Sequence, residues 1–107
     1  MLKTSLYVGL NDKDTKKQII MDDVAKEVII YAIVKQKLDF TLFECNGVYT
    51  HENGVAVIEK SFKIELLCFE NEKTFNEKIL QVVKDLKIML NQESVAVSRE
   101  YIESELL

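Results

Sequence analysis

The dipeptide Asn53-Gly54 lies between two long stretches of alternating polarity, and it constrains the fold more than any other feature. A two-residue type I′ turn needs positive φ at both central positions, which Asn-Gly adopts at little steric cost. Residues 39–50 and 55–69 are therefore read as an antiparallel hairpin. If Glu52 and Val55 flank the turn, Phe43 faces Ile64, Cys45 faces Phe62 and Tyr49 faces Ile58, all on one side of the hairpin. On the other side Glu44 meets Lys63, Val48 meets Glu59, Leu42 meets Glu65 and Phe40 meets Leu67. A slip of one residue scrambles these faces, so their coherence supports the register. A three-residue turn with a bulge is the alternative.

The flanking segments complete the pattern. Residues 3–10 put Leu6, Val8 and Leu10 on one side and Ser5, Tyr7 and Gly9 on the other, as a half-buried strand does. Asn11 to Gln18 is polar throughout and reads as a surface loop. Residues 22–36 carry Val24, Val28, Tyr31, Ala32 and Lys35 at helical spacing. A strand over Val28–Val34 stays open, because the segment is rich in β-branched residues. Residues 75–90 form a clearer helix, with Phe75, Ile79, Val82, Val83, Leu86, Met89 and Leu90 in one stripe. Thr74 and Glu77 match a capping box, and Asn91 stands where a left-handed C-terminal residue belongs. Residues 94–99 read as a short last strand, and 100–107 as an acidic helical turn or frayed tail.

The order β-α-β-β-α-β predicts an α+β fold of the ferredoxin-like, split βαβ kind: a four-stranded antiparallel sheet with two helices on one face. A chain of 107 residues suits a single domain spanning 1–107. The core is expected to join Phe62, Ile64, Phe43, Val82, Leu86 and Val28. The uncovered face of the sheet would carry Tyr7, Phe40, Leu42, Val57, Leu67 and Phe69, an apolar patch that predicts a homodimer.

Three motifs carry a resemblance. They are the strand Leu6-Tyr7-Val8-Gly9-Leu10, the hairpin pieces Asn46-Gly47-Val48-Tyr49 and Glu59-Lys60-Ser61-Phe62-Lys63-Ile64, and the exit Asn91-Gln92-Glu93-Ser94-Val95. In that order they resemble a family of small bacterial and phage proteins known as a domain of unknown function. The shared pattern is a first strand ending in Tyr-x-Gly, a Gly-x-Tyr step and a Gln-Glu-Ser-Val segment before the last strand. The lysine-rich first loop departs from it. The resemblance implies the fold and a phage or mobile-element setting, and it brings no activity.

Charge and composition narrow the partners. The net charge is -4 and the pI about 5.0, so a nucleic-acid partner is not expected, since phosphate binding needs clustered Lys and Arg. No apolar run nears the roughly 18 residues of a membrane helix, and Met1-Leu2-Lys3-Thr4-Ser5 does not open a secretory signal. A cytoplasmic protein without a membrane partner is expected. Cys45 and Cys68 lack metal-ligand spacing and are read as reduced and buried. His51, the single histidine, reads as an exposed turn residue, so neither a metal nor a cofactor is expected.

Enzyme signatures are missing: no Gly-x-Ser-x-Gly, no P-loop, no His-Glu-x-x-His, and three glycines in all. That points away from catalysis. Candidate ligand- or partner-binding residues are Tyr7, Asn11, Asp12, Lys16, Lys17, Glu44, Glu59, Lys63, Gln92 and Glu93. Glu44, Glu59 and Glu65 share a face in the proposed hairpin, with Glu44 opposite Lys63 as ordinary cross-strand pairing would have it. Lys13, Lys16 and Lys17 in the first loop would attract an anionic ligand. Gln92-Glu93-Ser94 reads first as a helix C-cap and strand entry, and otherwise as polar lining of a pocket. The leading expectation is a non-catalytic, oligomeric binding protein that engages a host protein or a small anionic ligand, a phage or mobile-element accessory with a counter-defence role. The alternative is a small enzyme with a carboxylate and lysine site in a cleft between subunits.

Overall fold

The computed structural model describes residues 1–50 and 53–107, with the backbone alone at Tyr49. The elements are β1 (Leu2–Gly9), α1 (Asp22–Val34), β2 (Thr41–Thr50), β3 (Ala56–Leu67), α2 (Glu72–Met89) and β4 (Ala96–Tyr101). The strands form one antiparallel sheet in the order β2-β3-β1-β4, the split βαβ topology. No helix among the described residues is long and apolar enough to cross a membrane.

One face of the sheet is covered by both helices. Leu6 and Val8 of β1 stand opposite Ile64 and Phe62 of β3, and all four are fully buried. Ala25, Ile29, Ala32 and Ile33 of α1 and Phe75, Ile79, Val82 and Leu86 of α2 close over them. The α2 stripe is the one its spacing predicts. On α1 the buried face is rotated from the expected one: Val24 and Tyr31 point to solvent, whereas Val28 packs at the margin. Alanines at 25 and 32 let the helix lie close to the sheet, which a face centred on Tyr31 would not.

The helix ends differ in detail from expectation. Asn71 is the N-cap of α2, its side chain accepting from the Thr74 N–H at 3.2 Å, so the helix begins before the Thr74–Glu77 box. Asn91 does take the left-handed conformation beyond the helix, with φ 48°.

The hairpin register corrects the two-residue turn. Leu42 pairs with Ile64, Phe43 with Lys63, Glu44 with Phe62, Cys45 with Ser61 and Tyr49 with Val57. The connection is centred on Asn53, whose side chain accepts from the Val55 N–H at 3.0 Å, and Gly54 takes φ 82°. An odd-numbered loop shifts every pair by one and so exchanges the faces of β2 relative to β3. Phe43 therefore leaves the expected core and stands 43% exposed on the open face. Phe40 and Leu42 move the other way and pack against the core. Cys68 is buried, while Cys45 is only half-buried. The turn role expected for His51 lies outside the described residues.

Candidate functional site

At the end of the sheet where β1 stops and β3 and β4 begin, the open face carries a hollow of about 360 Å³. Tyr7, Gly9 and Ala96 belong to the strands beneath it, Glu59 rises from β3, and Asn11, Asp12, Lys13 and Lys16 come from the first loop. Gln92, Glu93 and Ser94 close the remaining side. It shares Lys13, Lys16, Gln92 and Glu93 with a wider groove of about 690 Å³ that runs towards Lys87 and Ile88 on α2.

Glu59 and Asp12 are both half-buried carboxylates of the hollow, and Glu59 is the one that rises from the sheet. Its Oε2 accepts from the backbone N–H of Asn11 at 3.1 Å. Its Oε1 occupies space that a side chain at position 9 would fill, because a Cβ built on Gly9 would collide with it. Among the described residues no lysine or arginine forms an ion pair with Glu59. Among the described residues its charge is thus met by one backbone donor, which leaves acceptor capacity for a ligand.

The first loop is held as one piece. Asp12 Oδ2 accepts from the N–H groups of Asp14 and Thr15, both at 3.0 Å, and the Asp12 N–H donates to the Lys17 carbonyl at 2.8 Å. The Asn91 side-chain amide donates to Asp12 Oδ1 at 2.7 Å and to Asp14 Oδ2 at 3.0 Å. The Asn91 amide first, and then the Thr15 N–H, hold the Asp12 carboxyl below its usual range by favouring the charged form. Buried Gln92 adds a bond from Nε2 to the Asn11 carbonyl at 2.9 Å. The turn that ends α2 thereby fixes the loop that walls the hollow.

Of the residues singled out from the sequence, Tyr7, Asn11, Asp12, Lys16, Glu59, Gln92 and Glu93 line the hollow together. Lys17 lies on the exposed part of the loop, outside the lining. Glu44 does not join the others: it pairs with Phe62, on the sheet face opposite to Lys63. The expected Glu44–Lys63 pair is absent because the register is shifted by one. Lys63 instead bridges to Glu65 at 3.1 Å, with its ammonium 5.8 Å from both the Tyr7 and Phe43 ring centres. Lys63 is the chief reason that the Glu65 carboxyl sits below its usual range, and Lys3 adds to it. Lys13, read from the sequence as attracting an anion, and Ser94, read as the alternative pocket lining, also line the hollow, whereas Ala96 and Gly9 were not singled out as site residues. For Gly9 a signal existed, since it closes the Tyr-x-Gly motif of the first strand.

No protein-family model matches the chain and no curated protein matches it, which is consistent with a resemblance that carries no assigned activity. Among solved structures it is similar to a phage SAM lyase in complex with S-methyl-5′-thioadenosine, at 29% identity and TM-score 0.70, over 92% of this chain and 79% of that chain. The apo state of a phage SAM lyase is similar at 28% identity and TM-score 0.70, over 92% and 78% of the two chains. The periplasmic divalent cation tolerance protein CutA from Archaeoglobus fulgidus shares the fold, at 15% identity and TM-score 0.57, over 97% and 87%. Similarity to an enzyme overturns the expectation of a non-catalytic binding protein and favours the enzyme alternative. The missing signatures were a poor guide for a physical reason. They belong to enzymes that supply a nucleophile, a metal or a phosphate cradle, and their absence says nothing of other chemistries.

Proposed function

We propose that this chain is a lyase that cleaves S-adenosylmethionine in the hollow around Glu59. The observation that carries the reading is the similarity to the phage SAM lyase, at 29% identity across 92% of this chain. S-Methyl-5′-thioadenosine keeps the sulfur, the methyl group and the adenosyl part of that substrate. The bond to break is then the one between sulfur and Cγ of the aminobutyrate chain. As it breaks, its electron pair stays on sulfur and the sulfonium becomes a neutral thioether. The four-carbon piece carries a carboxylate that can close on Cγ, so that an O–Cγ bond replaces the S–Cγ bond. No residue of the protein has to become covalently attached.

The protein's task is then to hold a flexible, zwitterionic substrate in a closing geometry. Glu59, anchored at Oε2 by the Asn11 N–H, is the counter-charge for the substrate's cationic groups. Lys13 and Lys16 line the same hollow and are the partners for anionic groups. Destroying the methyl donor of a host would give the phage accessory, counter-defence role a chemical basis. We also infer self-association through the open sheet face, where Tyr7 and Phe43 are each 43% exposed. A second copy there would wall the Tyr7 side of the hollow and make it a cleft between subunits.

The test is proton NMR of S-adenosylmethionine incubated with the purified protein. Resonances of S-methyl-5′-thioadenosine growing as those of the substrate decline support the reading. A substrate that decays no faster than in buffer overturns it.

A further inference from the structure

Gln92 differs from the other polar residues of the hollow in being buried, at 8% exposure. Its backbone N–H donates to the Lys87 carbonyl at 2.9 Å, and its side-chain Nε2 donates to the Leu90 carbonyl at 3.1 Å. Both acceptors belong to the end of α2, where carbonyls lack partners within the helix. The same Nε2 also donates to the Asn11 carbonyl at 2.9 Å, across a sequence separation of 81. Gln92 thus fastens the Asn11 residue to the rigid end of a helix.

The N–H of that same Asn11 donates to Glu59 Oε2. The carbonyl and the N–H of Asn11 belong to the two peptide units flanking one Cα. Holding one restrains the direction of the other. Gly9 on the far side of the carboxylate leaves the space but makes no bond, so the aim of Glu59 depends on the Asn11 N–H.

We propose that Gln92 is a positioning residue for Glu59, acting through the backbone of Asn11; the inference rests on Glu59 being the working carboxylate of the site. A side-chain amide two hydrogen bonds removed from Glu59, itself part of the hollow's lining, then affects turnover by aiming that carboxylate, as outer-shell partners of site residues do elsewhere.

The experiment compares wild type, Gln92→Met, Glu59→Gln and the double variant. Methionine matches glutamine in length and cannot donate. Gln92→Met should lower kcat for S-methyl-5′-thioadenosine formation by about 10- to 100-fold, with KM moving less than about 3-fold. The double variant should be no slower than Glu59→Gln alone, because Gln92 acts only through Glu59. Independently of turnover, the Asn11 amide proton should shift on going from wild type to Glu59→Gln, because a charged acceptor is replaced by a neutral one. The same change should be smaller in the Gln92→Met background. An unchanged difference in that background, or additive losses in the double variant, overturns the proposal. If wild type leaves S-adenosylmethionine intact, the functional reading fails and the Asn11 amide shift alone decides whether Gln92 aims Glu59. If Gln92→Met does not fold, Gln92→Asn, which keeps the amide and shortens its reach, carries the same comparison.

Discussion

Gly9 and Glu59 compete for one volume: a Cβ on Gly9 would collide with Glu59 Oε1 and lie 3.0 Å from Oε2. The two residues are on neighbouring strands, and the bare backbone of one is the seat of the other's carboxylate. Gly9 lies in an ordinary strand without positive φ, so nothing in its own conformation demands glycine.

Gly9→Ala should therefore separate folding from function. The obstructing atoms are the end of a flexible side chain, which can swing away. Stability should change by less than about 1 kcal/mol, as for a substitution that neither opens a cavity nor strains the backbone. Turnover should fall at least about 10-fold, since the carboxylate leaves its aimed position. Urea denaturation and a steady-state assay on the same sample check both halves.

The register of the hairpin makes a sharp contrast between two phenylalanines. Phe62 is fully buried opposite Val8, and Phe62→Ala should cost about 3–5 kcal/mol through lost transfer energy and a cavity. Phe43 is on the open face, and Phe43→Ala should cost less than about 1 kcal/mol in the monomer. Equal losses in denaturant titrations would show that the faces of β2 are reversed.

Protonation of Asp12 should loosen the first loop. Its carboxyl lies below the ordinary value of 3.8, with the Asn91 amide the largest cause. A depressed folded value means that the stabilisation is fully present above the unfolded value and is lost as pH falls through the folded one. Asn91→Gly keeps the left-handed backbone at φ 48° and removes the amide. The variant should lose less stability than wild type on going from neutral pH to below pH 3.8. Identical acid slopes in the two proteins would remove Asn91 as the cause.

Much of the fold was legible because burial writes periodicity. The α2 stripe from Phe75 to Leu86 and the alternation of Leu6 and Val8 each bury one face, and each fixed its element and side. The hairpin register was not legible: Asn53-Gly54 suits a two-residue turn, yet the longer connection lets Leu42 rather than Phe43 face the core. That single shift also removed Glu44 from the site. The hollow was half legible. Glu59, Asn11 and Gln92 could each be marked as polar residues near element ends. Their convergence depends on hydrogen bonds across the chain, which one-dimensional spacing does not encode. The similarity to an enzyme was not legible, because none of the catalytic motifs sought in the sequence is present.

Self-association should depend on the open face. Light scattering at micromolar concentration should give a mass above the 12.4 kDa of one chain, and Phe43→Glu should return it to that value. A wild-type monomer contradicts the inference, and an oligomer that survives Phe43→Glu relocates the interface.

The most direct measurement compares wild type with Glu59→Gln, with S-adenosylmethionine as substrate and S-methyl-5′-thioadenosine followed by chromatography. Replacing the carboxylate by a neutral amide of the same shape keeps the packing over Gly9 and removes the counter-charge. The account predicts product from wild type and a rate at least about 100-fold lower from Glu59→Gln, the scale on which a single preorganised electrostatic partner acts. Equal rates from the two proteins, or no product from wild type, would contradict it.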